Sequence, residues 1–450
     1  MSIMNNNFRY YVEPVDVISE LKKYMLADGF DFVLDMNLSK GSYFLDQRTG
    51  KKYLDFFTCF ASMPIGMNHQ KLNNDEFIKF LGEVALNKPS NSDIYTSAMA
   101  TFVKTFFEIA VPKEFKYAFF ISGGALAVEN ALKTAFDWKV RKNFKKGYKT
   151  ERGHQVIHFK QAFHGRSGYT MSLTNTDPAK TDFYPKFDWP RIINPKVSFP
   201  LEENMEDIIK SENQAIREIK TAFEQNKDDI AAIIIEPIQG EGGDNHFRKE
   251  FLQQLKVLTD ENEALLIFDE IQTGVGITGE WWAFQNFDVV PDILVFGKKM
   301  QVCGILATER IDEVPQNVFH TSSRINSTWG GNLVDMVRVT KYLEIIDEEK
   351  ILDSVKKNGK FLKDKLFNLQ NQYPKLISNV RGLGLFCAFD LPDKNIRGKF
   401  ISDCFKEGLI ILSCGEKSVR FRPALNISEK QLSEGLMIID KVLKSISVKK

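Results

Sequence analysis

The chain has 450 residues, 43% of them hydrophobic and 26% charged, an ordinary globular make-up with length enough for two domains. Lys and Arg number 60 against 59 Asp and Glu, so neither a polyanionic partner nor a nucleic acid is expected. Five scattered cysteines, six unclustered histidines, no membrane-length apolar run and an N-terminal "MSIMNNNFRYYVEP" without an apolar core predict a cytoplasmic protein with reduced thiols, no metal site and no membrane partner.

In chain order, "GSYFLDQRTGKKYLDFF" (41–57) predicts two strands about a turn at Arg48-Thr49-Gly50. "YAFFIS" (117–122) is a short apolar strand, and the following "ALAVENALKTAFDWKVRK" places Val128, Leu132, Ala135 and Phe136 at helical spacing. "QVIHF" (155–159) reads as a strand and "QAIREIKTAFEQN" as an amphipathic helix. Three apolar strands come next, "IAAIIIEP" (230–237), "ALLIFDE" (264–270) and "DILVFG" (292–297). Continuous apolar strands separated by helices predict a parallel sheet covered on both faces. From about Asp335 a long helical pattern begins, followed by short strands near "LGLFCAFDL" and "SVRFRPAL". The predicted organisation is a large central α/β domain, 76–334, and a smaller one built from 1–75 and 335–450.

Ligands of open parallel sheets bind beyond the carboxyl ends of the strands. After "YAFFI" come Ser122-Gly123-Gly124-Ala125, opening a helix whose N-terminus suits a phosphate. After "QVIHF" come Phe163, His164 and Arg166, an aromatic face for a flat ring and a fork for a carboxylate, though each residue alone fits packing or a surface charge. "EPIQGEGG" brings Glu236 and Glu241, and "ALLIF" ends in Asp269-Glu270. A carboxylate at a buried strand end needs a partner, either a protein group or a cationic ring nitrogen. "DILVFG" ends at Lys298 and Lys299, and a desolvated lysine amine is a nucleophile. "GVGITG" (274–279) matches a dinucleotide-binding pattern, but five residues separate it from the preceding strand, so that site is not expected. Together the strand ends suit pyridoxal 5'-phosphate, with its phosphate, flat ring, ring nitrogen and aldehyde.

The motifs "FHGRSG", "EPIQGEGG", "DEIQTGVGITG", "PDILVFGKK", "STWGGN" and "VRFRPAL" resemble the class III, fold type I pyridoxal-phosphate aminotransferases over nearly the whole chain. The resemblance implies a large, mostly parallel sheet domain and a smaller α/β domain. It places the cofactor-bonding lysine on Lys298, the partner of the ring nitrogen on Asp269, and ring contacts on Phe163 and Ile271. Gln272 is expected at the phenolic oxygen, and Gly124 and Ala125 at the phosphate, with His164 and Ser327 also at the cofactor. Thr328 is expected to reach the phosphate of a partner subunit, making a homodimer with shared active sites. Substrate contacts are expected from Arg166, Glu241, Asn326 and Arg420. Four long stretches, among them "SGGALAVENALKTAFDWK" and "NSTWGGNLVDMVR", are similar to family members that move the ε-amino group of L-lysine to 2-oxoglutarate. Ornithine or 4-aminobutyrate as donor is the alternative. Ala125-Leu126, Ile277 and Ala424 depart from the broader family pattern. The first departure removes a hydroxyl from the phosphate site and leaves backbone N–H groups to hold it.

Overall fold

The computed structural model describes residues 8–448; the first seven and last two residues of the expected terminal segments lie outside it. A seven-stranded sheet forms the centre. Its order across the sheet is Phe115–Ile121, Cys303–Thr308, Ile293–Phe296, Leu265–Asp269, Ile230–Ile235, Gln155–Phe159 and Arg191–Ile192. All its strands run one way except Cys303–Thr308, which is antiparallel to both neighbours. The predicted strands are present, and the sheet is mostly parallel, as the family resemblance implied. "CGILAT" lies only six residues beyond Phe296, too close for a helical crossover, so the chain turns back beside the strand it has left.

Successive side chains of the central strands enter opposite apolar layers. Leu265, Ile267, Ile293 and Val295 meet the helix Gly124–Lys145 and its neighbours, whereas Leu266, Phe268, Leu294 and Phe296 face the other layer. Both faces are therefore dry, which explains the absence of polar alternation in these strands. Each such aliphatic or aromatic side chain contributes about 1.5–3 kcal/mol when fully buried.

The expected hairpin forms, with Tyr43–Leu45 antiparallel to Lys52–Asp55. Its second strand pairs in parallel with Leu409–Ile410, so the two ends of the chain share one sheet. A four-stranded antiparallel sheet follows the order Ser378–Leu383, Phe386–Asp390, Ser418–Phe421, Leu412–Cys414. The long helical pattern after Asp335 is two helices, Leu333–Glu348 and Ile351–Gln372. Lys350 separates them at φ 51°, a left-handed residue that no helix continues through.

Candidate active site

Parallel strands expose their carboxyl ends along one edge of the sheet, and a cavity lies there. It measures about 330 Å³ and is lined by Gly124, Ala125, Phe163, His164, Gly165, Glu236, Ile238, Glu241, Asp269, Ile271, Gln272, Lys298 and Cys303. Nine sequence-predicted site residues thus meet around one space. A larger open cleft of about 990 Å³, between Lys186–Ile192 and Gln214–Asn226, contains none of the candidate residues.

The helix Gly124–Lys145 starts at this edge, after Gly123 at φ 103°, and no side chain caps it. Its first N–H groups are left without helical partners and suit an anion. Gly124 approaches the opposite wall closely: a Cβ there would stand 3.0 Å from Ile271 Cδ1.

Asp269 closes its strand, and its carboxylate is held on both sides. His164 Nδ1 lies 2.8 Å from Oδ2, and the Ile271 N–H donates to Oδ1 at 3.1 Å. His164 Nε2 is buried without a partner. Glu236 steadies the opposite loop by accepting from the N–H groups of Phe163 and Gly240, each at 2.9 Å. Burial pushes the Glu236 carboxyl up to about 7.

Lys298 follows Gly297 at φ 47°, a left-handed backbone that typically costs about 1–3 kcal/mol and is tolerated where the surroundings enforce it. Burial, with the Arg420 and Arg422 guanidinium groups nearby, pulls its amine down to about 8. Far more of the reactive neutral form is then present near pH 8 than on an ordinary lysine. Lys299 is 1% exposed, and its Nζ donates to the Gln272 carbonyl at 2.8 Å. It braces the loop from inside.

The Gln272 side chain is also pinned. Its Oε1 accepts from Arg422 Nε at 3.1 Å and Nη2 at 2.8 Å, and Arg422 pairs with buried Asp244 at 2.6 Å. With Oε1 occupied, the amide group has its N–H donors left for a ligand. Arg420 Nη2 meets Glu241 Oε2 at 2.9 Å, while Lys180 Nζ meets Glu241 Oε1 at 2.6 Å. Burial raises the Glu241 carboxyl, but these two cations outweigh it and hold the group below its ordinary range.

The other predicted site residues lie outside this cavity's lining. Arg420 stands behind Glu241, and Arg166 is exposed on the loop after Phe163. Asn326 and Thr328 are exposed and Ser327 is half-buried. The Thr328 carbonyl accepts from the hydroxyls of Ser90 and Ser92. Sequence reasoning missed Lys180, Asp244 and Arg422, gave Glu236 no role, and left the role of Cys303, which lines the cavity, open. Arg420 and Arg422 stand two apart around a strand end, and that period of two was the available signal for the second arginine. Also unforeseen is the left-handed turn Thr58–Ala61, at φ 41°, 51°, 61° and 62°, which brings the Phe60 ring to 5.9 Å from the Arg420 guanidinium. Asp55 Oδ1 supports it by accepting from the N–H groups of Phe57 and Thr58, each at 2.8 Å.

An uncapped helix start, an aromatic wall, a braced aspartate and a low-pKa lysine match the phosphate, ring, ring nitrogen and aldehyde of pyridoxal 5'-phosphate. Residues 25–443 match the family Aminotransferase class-III, and the chain belongs to that family of pyridoxal-phosphate enzymes. It is 49% identical over 431 residues, 96% of both chains, to an L-lysine-epsilon aminotransferase of Mycobacterium bovis. It is 48% identical over 426 residues, 94% of this chain and 93% of the relative, to one from Streptomyces clavuligerus. A lysine aminotransferase from Mycobacterium tuberculosis, solved in its internal aldimine form, superposes with a TM-score of 0.95 at 48% identity, covering 97% of this chain and 100% of that one.

Proposed function

We propose that the protein transfers the ε-amino group of L-lysine to 2-oxoglutarate, yielding 2-aminoadipate 6-semialdehyde, which cyclises to piperideine-6-carboxylate, and L-glutamate. The observation that carries this reading is the Glu241–Arg420 pair beside the Lys298 amine. An arginine that a carboxylate can cover lets one site take an amine whose carboxylate is remote and then a keto acid whose carboxylate is near.

Pyridoxal 5'-phosphate supplies an electron sink when bound. The chain supplies the rest. Lys298 Nζ would be the amine that holds the cofactor's aldehyde, and it would be placed to take the proton from the carbon bearing the substrate amine. Asp269, fixed by His164, would hold the ring nitrogen protonated. Phe163 and Ile271 would pack against its ring, Gln272 would donate to its phenolic oxygen, and the N–H groups of Gly124 and Ala125 would hold its phosphate. With lysine in the site, Glu241 covers Arg420, and Arg166 takes the distant α-carboxylate. With 2-oxoglutarate, Glu241 moves aside and Arg420 takes the near carboxylate.

We assign Asn326, Ser327 and Thr328 to the neighbouring site of a homodimer. Their place outside this subunit's cavity supports that reading. The enzyme is read as cytoplasmic; among the described residues no helix is long and apolar enough to cross a membrane. The large domain is assigned to 76–334 and the smaller to 1–75 with 335–450, a division supported by the pairing of Lys52–Asp55 with Leu409–Ile410.

The deciding experiment supplies lysine labelled with ¹⁵N at the ε position only. Label should appear in glutamate. Glutamate formed without label places the chemistry at the α-amine, and preference for ornithine or 4-aminobutyrate in a donor panel sinks the lysine reading. Mixed dimers of Lys298→Ala and Thr328→Val subunits should regain partial activity; none in verified heterodimers removes the shared-site assignment.

A further inference from the structure

Glu241 is held by two cations that differ in kind. Arg420 is 3% exposed in its side chain and has its Nε buried without a partner. Lys180 is 26% exposed in its side chain, sits on the short turn Pro178–Thr181, and has Nζ 5.5 Å from the Phe163 ring centroid. Each cation holds a different oxygen of one carboxylate, Oε2 for Arg420 and Oε1 for Lys180. The Glu241 main chain is itself fixed, its carbonyl accepting from the Gly415 N–H at 2.8 Å. Repartnering can then proceed through the side chain.

An incoming carboxylate can take Arg420 only if Glu241 releases it. A carboxylate leaving its only cation inside a largely buried site would be left uncompensated, which is strongly unfavourable. Here a rotation about the side-chain bonds can free Oε2 while Oε1 stays on Lys180. The charge count makes the same point. With Arg420 covered, the group holds two cations and one carboxylate. With a keto acid's near carboxylate added, it holds two of each. Without Lys180, the covered state would be balanced and the acceptor-bound state would carry an excess negative charge.

We propose that Lys180 is the counter-ion onto which Glu241 withdraws when the acceptor occupies Arg420, and so a specificity-determining residue for the acceptor half of the reaction. This rests on the proposed transfer from lysine to a 2-oxo dicarboxylic acid. Lys180 touches neither the reacting carbon nor the cofactor in this role; it acts through Glu241.

The test uses the holoenzyme and measures the two half-reactions separately in single turnovers, together with equilibrium binding of the unreactive dicarboxylate glutarate. Lys180→Met should weaken 2-oxoglutarate and glutarate binding by roughly tenfold, the scale of a favourable charge pair, while lysine half-reaction constants move less than about twofold. Lys180→Arg should restore most of the loss. In a Glu241→Gln background the Lys180→Met effect should largely vanish, because the charge that Lys180 receives is gone. Equal losses in both half-reactions, or none in either, overturn the proposal. So does a full effect of Lys180→Met in the Glu241→Gln background, which would mean that Lys180 binds the acceptor itself. Failure of the wild-type enzyme to react with lysine or 2-oxoglutarate would instead strike the underlying reading.

Discussion

The two sides of the cavity are built differently. The cofactor side rests on one sheet: Gly124, His164, Asp269 and Lys298 lie at or just beyond the ends of its strands. Their positions are fixed by backbone pairing and by short contacts such as His164 to Asp269 at 2.8 Å. The substrate side joins separate elements. Arg420 comes from the four-stranded sheet, Glu241 from a glycine-flanked loop, and Lys180 from a short helical turn. The first arrangement suits chemistry repeated without change in each half-reaction. The second can repartner, which a site for two unlike substrates requires.

The comparison breaks first if the fixed side is wrongly assigned. Lys298→Ala should lower turnover on the order of 10²–10⁴-fold, because it removes the amine that moves the proton. Borohydride treatment of wild-type holoenzyme, followed by peptide mass analysis, should find the cofactor on Lys298. Finding it on Lys299 would overturn the register of "FGKKM".

Asp269→Asn comes next. It keeps the shape and removes the charge, so the rate should fall about 10²–10³-fold, comparable with deleting one preorganised electrostatic contact. The cofactor should still bind, with its absorbance shifted by loss of the ring-nitrogen proton. Near-normal turnover would make the Asp269–His164 pair structural only.

Asp269 and the Lys298-Lys299 pair were legible as strand ends, while the choice of Lys298 over Lys299 came from the family resemblance. Once "ALLIF" and "DILVF" are read as strands, Asp269 and Lys298 must lie on the same edge, whatever fills the segment between them. The strand Cys303–Thr308 was not legible, since antiparallel return depends on a tight turn and not on apolar content. Lys180 and Arg422 were hidden for another reason. Their partners, Glu241 and Asp244, lie far away in sequence, and no local period encodes a pairing between a loop and another sheet. The burial of Lys299 was not legible either, since lysines are rarely fully buried; here the loop carrying Gln272 closes over it.

The movable side is tested by asymmetry. Arg420→Ala should slow the 2-oxoglutarate half-reaction roughly 30-fold or more, the scale for truncating a buried charge partner, and slow the lysine half only slightly. Arg166→Ala should reduce both halves alike. Glu241→Ala should raise the share of lysine that reacts through its α-amine. Equal damage to both halves in Arg420→Ala would make the Glu241–Arg420 pair a permanent brace, and the contrast between the two sides would disappear.

The smallest expected effect on turnover is at Lys299, and it sharpens the fixed side. Its Nζ reaches the Gln272 carbonyl at 2.8 Å and the Ala61 carbonyl at 3.5 Å, tying the left-handed turn to the loop after Asp269. Lys299→Met keeps the length of the side chain and leaves a buried carbonyl unsatisfied, at about 1–3 kcal/mol of stability. Turnover should stay within a few-fold of wild type, with borohydride still labelling Lys298. Burial, the neighbouring Lys298 and Arg422 hold the Lys299 amine well below its ordinary value of 10.5. A base depressed in the folded state binds fewer protons there than in the unfolded chain across that interval. Its contribution to stability is therefore full above 10.5 and is lost as pH falls toward the folded value. The wild-type unfolding free energy should gain more, or lose less, than that of Lys299→Met as pH climbs through this interval. Chemical denaturation at several pH values measures both slopes. Parallel curves for the two proteins would mean that Lys299 is solvated, and that the floor of the site is looser than its hydrogen bonds imply.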